Sequence, residues 1–292
     1  MQEQNTIRER FDETASESDQ EAGLSKRSLV FRDRGISVDT TILSSFGIEG
    51  ALRDMKDRAV LAKRSITRVA VIGPGLDFTD KGFGYDFYPL QTLQPFAVYD
   101  SLVRFGLAEP GKIEVIAFDI SQEVLEHLRR ARDRAEKGEN YVVQLPRESW
   151  PWAAEAVDYW RSFGSEIGTP VAPIQPPPAL NGLETRAVAI RPEVVLSCKP
   201  VDLNIVFEHF AGSATKPFDL IIATNVFLYY DRFEQALALR NISSLLKPDG
   251  FFLTNDWLPH VSQTPMRSME YTPVRYGESA DWGDNVFWWQ RQ

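Results

Sequence analysis

The chain has 292 residues, 43% of them hydrophobic, with a net charge of -9 and one cysteine. No apolar run reaches the roughly 20 residues that a membrane span needs, and the acidic balance argues against nucleic acid, which binds cationic surfaces. The lone Cys198 excludes an internal disulfide and, with the polar N-terminus, predicts a cytoplasmic protein. Three scattered histidines show no metal-ligand spacing, so we expect no metal.

The chain divides into a polar lead-in and a main domain. Residues 1–25 are acidic and poor in large apolar groups, which predicts a disordered tail. Residues 26–66 form an N-terminal helical lead-in, because the apolar spacing from Ile48 to Ile66 is typical of an amphipathic helix. The main domain is predicted over residues 67–292.

Short apolar runs alternate with helical patterns through the main domain, which predicts a mostly parallel seven-stranded sheet with helices on both faces and an antiparallel C-terminal edge strand. The fold class is therefore α/β. The expected elements are a strand from Arg68, a helix at Gln94–Leu107, a strand at Lys112–Asp119, a helix at Val124–Ala135, regular structure at Val194–Ser197, a strand at Phe218–Ala223, a helix at Phe233–Leu246, a strand at Phe251–Thr254 and an antiparallel pair at Tyr271–Tyr276 and Asn285–Gln290.

Two insertions interrupt this alternation, at about 77–92 and 138–190. The first is rich in glycine and aromatic residues, which is typical either of a lid or acceptor pocket or of a plug at the sheet edge. The second contains a possible short helix at 153–163 and a proline-dense segment at 169–178, which favours extended structure.

A candidate ligand site lies where the first strands end. Gly73-Pro74-Gly75 follows a buried strand, and glycines there let the backbone approach a bound nucleotide. Asp119 ends the second strand, where a carboxylate can accept two hydrogen bonds from a ribose diol. Its alternative role is an N-cap for the next helix, which Ser121 could supply instead.

Four motifs resemble a known family, the S-adenosylmethionine-dependent methyltransferases of class I. The run Phe218–Asp231 resembles their fourth-strand motif in the form found in chemotaxis-receptor methyltransferases. The supporting motifs are Leu245–Phe252, similar to the "L-K-P-G-G" link, Phe118–Ser121, similar to "T-D-I-S", and Arg191–Val194, which has a counterpart before the third strand. The resemblance covers about residues 67–256 and implies a Rossmann-like methyltransferase fold with S-adenosylmethionine as cofactor.

The resemblance also implies a cofactor site. Its glycines would approach the methionine part, Asp119 would hold the ribose hydroxyls, and Asp202 would lie near the adenine, unless it is only a solvated strand end. Leu203 would pack on the adenine, and Asn225 would border the sulfonium. The implied cofactor-binding residues are Gly73, Pro74, Gly75, Asp77, Asp119, Ile120, Asp202, Leu203, Asn225 and Val226.

The chain departs from the family pattern at two positions. Val71 stands where the family usually has an acidic residue, two positions before the first glycine, and Asp77 stands where it has a third glycine. Asp77 could replace the missing acid, because a carboxylate near a bound ammonium is chemically equivalent.

The expected function is methyl transfer to a small-molecule or protein acceptor. A base is needed only if the acceptor starts protonated. The weak candidates for it are Tyr229, Tyr230, Asp256 and His260, each of which is also typical of a packing or surface residue. An NAD(P)-dependent oxidoreductase and a non-catalytic binding or scaffold protein remain as alternatives, and the sequence indicates no oligomeric state.

Overall fold

The computed structural model describes residues 42–77, 87–147, 151–176, 182–210, 216–259, 261, 264–279 and 282–292. Several predictions therefore lie outside the described residues in whole or in part: the tail at 1–25, the beginning of the lead-in, most of the first insertion, parts of the second insertion, and the candidate base His260. None of the helices in these described ranges is long and apolar enough to cross a membrane.

Ten strands and six helices make up the described chain. The strands are β1 (Arg68–Ile72), β2 (Glu114–Asp119), β3 (Tyr141–Arg147), β4 (Gly168–Val171), β5 (Glu184–Ile190), β6 (Cys198–Asp202), β7 (Phe218–Ala223), β8 (Leu246–Thr254), β9 (Met266–Arg275) and β10 (Gly283–Arg291). The helices are α1 (Ile42–Asp57), α2 (Gln94–Arg104), α3 (Gln122–Ala135), α4 (Ala154–Ser162), α5 (Pro192–Ser197) and α6 (Arg232–Leu245), with a 3₁₀ turn at Phe227–Tyr229.

Seven strands form the main sheet in the order β6-β2-β1-β7-β8-β10-β9. The pairs from β6 to β8 are all parallel, whereas β10 is antiparallel to both of its neighbours. The predicted Rossmann-like α/β fold is confirmed. The reversed C-terminal strand, β10, lies inside the sheet, between β8 and β9. Strand β9 forms the edge and runs in the same direction as β8.

Both faces of the main sheet are covered, as predicted. Alternate residues of β1 point to opposite sides: Val69 and Val71 join the apolar cluster that includes α1, α2 and α3, while Ala70 and Ile72 join the cluster that includes α6. All six residues of β7, at the centre, are buried. This double coverage explains why its sequence is apolar at every position except Asp219.

Helix α1 begins earlier and ends earlier than its apolar spacing predicts. It ends at Asp57, and the chain then takes a left-handed conformation at Ala59 (φ +56°). The Ile66 N–H donates to the Leu107 carbonyl at 3.1 Å, so the residues before β1 pair with the chain that leads into β2. Leu61 and Ile66 are thus buried outside the helix, whereas Val60 is exposed.

The second insertion folds into a small sheet of its own. Strands β3, β5 and β4 form an antiparallel sheet in that order, and α4 confirms the predicted short helix. The sheet itself was not predicted: β4, with Pro170 in it, lies in the proline-dense stretch and pairs only along one side. An edge strand tolerates proline because the missing N–H is not needed there.

The third strand of the main sheet is β6, which begins at Cys198. Val194–Ser197, the regular segment seen in the sequence, forms the last part of the short helix α5. Cys198 is buried, and burial raises the pKa of its thiol to about 12, which fits a structural residue.

Candidate functional site

The predicted site residues converge at the carboxyl edge of the main sheet. Strands β6, β2, β1 and β7 are consecutive neighbours, and the strand order reverses between β1 and β7. In open α/β sheets, ligands bind outside the strand ends at such a reversal. The predicted residues that end or follow these four strands are Gly73, Pro74, Gly75, Asp119, Ile120, Asp202, Leu203, Asn225 and Val226.

The glycine turn after β1 requires glycine for two reasons. Gly73 and Gly75 have φ values of +64° and +62°, a region that other residues enter at a cost. A Cβ atom on Gly73 would lie 2.8 Å from Cγ2 of Val226, closer than carbon atoms pack. The turn after β1 therefore lies directly against the turn after β7.

Asp119 lies beside that turn with its carboxylate held by backbone donors. Its Oδ1 accepts the Ser121 N–H at 2.8 Å, and the backbone N–H groups of Gly75 and Ile120 also bond to the carboxylate. Burial raises the pKa of Asp119 to about 6 despite these bonds, and the nearby Asp202 carboxylate adds to the rise. Ser121 caps α3 by accepting from Val124 N, so the alternative role of Asp119 as the helix cap is filled.

Asp202 lies next to Asp119 in the register of β2 and β6. It is exposed, and its Oδ2 accepts the Gln122 Nε2 donor at 2.6 Å. Leu203 is buried beside it, with its N–H on the Asp119 carbonyl at 3.2 Å. Ile120 is 42% exposed, so an apolar side chain lies open to solvent next to two carboxylates.

Asn225 follows β7 in a left-handed conformation, with φ +57°, and is buried. Its N–H donates to Asn255 Oδ1, and its Oδ1 accepts from Asn255 Nδ2, both at 2.8 Å. The next two N–H groups, of Val226 and Phe227, donate to Asp256 Oδ2 at 3.2 and 2.9 Å. Asp256, a candidate base, thus holds the backbone turn after β7.

The two candidate tyrosines lie at the 3₁₀ turn and are half-buried. Burial raises the pKa of Tyr230 to about 12, and the carboxylates of Glu234 and Asp119 contribute to the rise. The Tyr230 phenol therefore keeps its proton near neutral pH, which disfavours it as a base. The roles of Tyr229 and Asp256 in catalysis stay predictions.

Asp77 is buried and engaged by the chain that precedes α2. Its backbone exchanges hydrogen bonds with Gln91, and its Oδ2 accepts from Gln91 Nε2 at 3.2 Å and Tyr88 OH at 3.4 Å. Gln91 Nε2 also donates to the Gln144 carbonyl at 2.7 Å, which links the Asp77 turn to β3. Whether Asp77 replaces the acid missing at Val71 stays a prediction.

A polar pair that was not predicted from the sequence lies beside the glycine turn. Gln94, at the first position of α2, donates from Nε2 to Thr224 Oγ1 at 2.5 Å, and Thr224 follows β7. Within the described ranges, Oε1 of Gln94 is buried and has no hydrogen-bond partner. The available signal was a glutamine at a helix start, Leu93-Gln94-Pro95-Phe96, where every neighbour is apolar.

Comparisons with known proteins bear on this arrangement. No protein-family model matches the chain. The chemotaxis protein methyltransferase of Escherichia coli (strain K12) is 27% identical over 157 residues, which cover 54% of this chain and 45% of that protein. The match therefore spans less than half the length of this curated relative.

The solved structures that match this chain are less similar to it in sequence. The N-methyltransferase NodS from Bradyrhizobium japonicum WM9 is 11% identical, with a TM-score of 0.39 over 83% of this chain and 96% of that one. The rRNA methyltransferase aviRa from Streptomyces viridochromogenes is 10% identical, with a TM-score of 0.39 over 84% of each chain.

No group of three or more His, Cys, Asp or Glu residues in the described ranges is placed to hold a metal ion. The mostly parallel seven-stranded sheet with its antiparallel strand β10 is the Rossmann-like fold that the sequence motifs imply. In sequence and in fold, the chain is therefore similar to class I S-adenosylmethionine-dependent methyltransferases and, among them, to a chemotaxis protein methyltransferase.

Proposed function

We propose that this chain binds S-adenosylmethionine and transfers its methyl group to a small-molecule or protein acceptor. The observation that carries the proposal is the meeting of the Gly73 turn with Val226 beside Asp119, at the edge where the strand order reverses. The similarity to the Escherichia coli methyltransferase supports it. The comparisons give no support to an oxidoreductase or a scaffold.

The residues present fit the two ends of this cofactor. At the methionine end, the unpartnered Oε1 of Gln94 is an acceptor of the kind that an ammonium group requires. At the nucleoside end, Asp119 offers a carboxylate for the ribose diol, and the exposed Ile120 offers apolar surface for the adenine. We propose that Gln94 takes the role that the family gives to an acid, because Val71 stands at the position of that acid in this chain.

When bound, S-adenosylmethionine supplies an electrophilic methyl group on a sulfonium. The protein's part is to hold the reacting atoms in line and to keep water away from them. The paired turns at Gly73 and Val226 form a rigid border for this purpose, because each backbone is fixed by hydrogen bonds to a neighbouring element. Burial raises the pKa of Tyr230 to about 12, so its phenol keeps its proton near neutral pH and is not suited to act as the base.

Titration calorimetry tests the proposal with S-adenosylmethionine, S-adenosylhomocysteine and NAD as ligands. We expect binding of the first two and none of NAD. Tight binding of NAD, or no binding of any of the three, would overturn the proposal, the latter in favour of a scaffold. Incubation of candidate acceptors with methyl-labelled cofactor, followed by mass spectrometry, then identifies the acceptor class.

A further inference from the structure

A line of polar side chains connects Asn225 to the two C-terminal strands. It runs from Asn225 after β7, through Asn255 after β8, to Asp284 at the start of β10 and Tyr276 after β9. The joining distances are 2.8 Å from Asn255 Nδ2 to Asn225 Oδ1, 3.1 Å from Asn255 Nδ2 to Asp284 Oδ2, and 2.6 Å from Tyr276 OH to Asp284 Oδ2. We call these four residues the amide relay.

Asn255 is the centre of the relay, and its partners fix its orientation. Its Oδ1 accepts the Asn225 N–H, so its Nδ2 must face the other way, towards two oxygen atoms. Those two oxygens, from Asn225 and Asp284, take both of its amide hydrogens. A flipped amide would place its Oδ1 against the Asp284 carboxylate, so the orientation has one solution.

Asp284 anchors the relay from the other end. Its Oδ2 accepts from both Asn255 and Tyr276. Burial raises the pKa of Tyr276 well above its usual range, and the Asp284 carboxylate adds to the rise, so the phenol remains a donor. Tyr276 is buried, with its carbonyl accepting the Ala153 N–H at 2.8 Å, so the anchor is tied to a further part of the chain.

The relay explains the backbone of Asn225. A left-handed conformation at a non-glycine residue is disfavoured and persists only where neighbours enforce it. The paired bonds between Asn225 and Asn255 hold the backbone N–H and the side chain of the same residue at once. Without the anchor at Asp284, Asn255 would lose one of the contacts that orient its amide.

We infer that Asn255 and Asp284 are positioning residues that hold Asn225 in its cofactor-binding conformation, and so couple the C-terminal strand pair to the site. The inference rests on the proposed function, because it assumes that Asn225 borders the bound cofactor. Asn255 and Asp284 act through Asn225 and need not touch the ligand.

The first test compares two substitutions at one position by calorimetry with S-adenosylhomocysteine. Asp284→Ala removes the Oδ2 atom that accepts from Asn255 and Tyr276, and we expect the Kd to rise at least fivefold. Asp284→Asn keeps one accepting oxygen for Asn255 and Tyr276, and we expect the Kd to stay within twofold of wild type. The matched control is Glu278→Ala, which removes an exposed carboxylate between β9 and β10 and should leave the Kd unchanged.

A double-mutant cycle shows whether Asp284 acts through Asn225. If it does, the combined Asp284→Ala and Asn225→Ala protein binds no more weakly than Asn225→Ala alone. When Asp284→Ala is combined with Asp119→Ala, the Kd should rise by the product of the two single effects, because Asp284 and Asp119 share no hydrogen-bond partner among the described residues. Multiplied losses in the first cycle, or an unchanged Kd for Asp284→Ala, would overturn the inference.

Two further measurements keep the outcomes separate. Thermal melting checks that each variant is folded. If Asp284→Ala is not folded, Asn255→Ala serves in its place, because it removes the amide that bonds to Asn225. We expect this variant also to raise the Kd at least fivefold. An unchanged Kd for that variant overturns the inference. Failure of the wild-type protein to bind S-adenosylhomocysteine overturns the proposed function instead.

Discussion

At the residue scale, we expect the ionisation state of the Asp119 carboxyl to depend on whether a ligand is bound. Burial raises its pKa to about 6, so a hydrogen-bonding ribose diol would favour the ionised form. We expect the Kd for S-adenosylhomocysteine to rise as the pH falls below about 6, by up to about tenfold per pH unit, because the carboxyl becomes protonated. Calorimetry between pH 7.5 and 5 measures this.

Asp119→Asn provides the control for that titration. The variant should bind at least tenfold more weakly at pH 7.5, about 1.4 kcal/mol, and its Kd should vary little with pH. Asp202 is the other carboxylate at this position of the sheet, and Asp202→Asn should leave the pH dependence in place. Identical pH profiles for wild type and Asp119→Asn would remove Asp119 from the site.

Gln94 allows a test of the methionine end alone. Gln94→Ala removes the unpartnered Oε1, and we expect S-adenosylhomocysteine to bind about fivefold more weakly, because one hydrogen bond is worth about 1 kcal/mol. Methylthioadenosine has the same nucleoside and no amino-acid group, so its Kd should not change. Equal losses for both ligands would show that Gln94 acts on the site as a whole.

At the element scale, α6 begins with a complete capping box. Asp231 Oδ1 accepts the N–H groups of Phe233 and Glu234 at 2.9 Å each, and Glu234 Oε2 accepts the Asp231 N–H at 2.8 Å. We expect Asp231→Ala to lower the free energy of unfolding by about 1 kcal/mol, measured by urea denaturation. Asp231→Ser should restore most of the loss, and an unchanged midpoint for Asp231→Ala would contradict the role of the cap.

Elements whose own residues carry the signal were predicted well. The buried runs of β1, β2 and β7 and the helix α3 lie within a few residues of their predicted bounds. The sheet of the second insertion was missed, because β3, β4 and β5 pair across distant parts of the chain and β4 contains a proline. Its strands become recognisable only through their partners.

At the scale of the whole molecule, the two edges of the main sheet differ in kind. At the amino edge, Asp219 Oδ2 accepts the Thr67 N–H at 2.7 Å, the Thr67 hydroxyl at 2.9 Å and the Arg68 N–H at 2.9 Å, while Lys247 Nζ lies 2.6 Å from Oδ1. Burial by itself raises the pKa of Asp219, but these donors outweigh it and the pKa is lowered. The carboxylate thus joins β1 and β7 to the start of β8.

We expect Asp219→Ala to lower the free energy of unfolding by about 3 kcal/mol at pH 7, because charged hydrogen bonds are lost and backbone donors are left unpaired. A lowered pKa stabilises the fold above the unfolded value, about 3.9, and that stability is lost as the pH falls through the folded pKa. The difference between variant and wild type in urea denaturation should therefore shrink below about pH 4.

Glu114→Ala is the control at the same edge. Glu114 pairs with Arg68 and Lys199 at the surface, so its loss should cost under about 1 kcal/mol. Neither variant should change the Kd for S-adenosylhomocysteine while it remains folded, because both residues lie at the edge opposite the site. A weakened Kd in folded Asp219→Ala would contradict this separation of the edges.

The sequence by itself determined the fold class and predicted the sheet edge at which the candidate site residues gather. Periodicity, the Gly73 turn and Asp119 are local signals, and a short apolar strand followed by glycine has few alternative structures. Only the tertiary structure decided which residues meet: Val226 against Gly73, Gln94 on Thr224, and Asn225 on Asn255. These contacts join residues far apart in the chain, and no local pattern encodes a pairing that arises from packing.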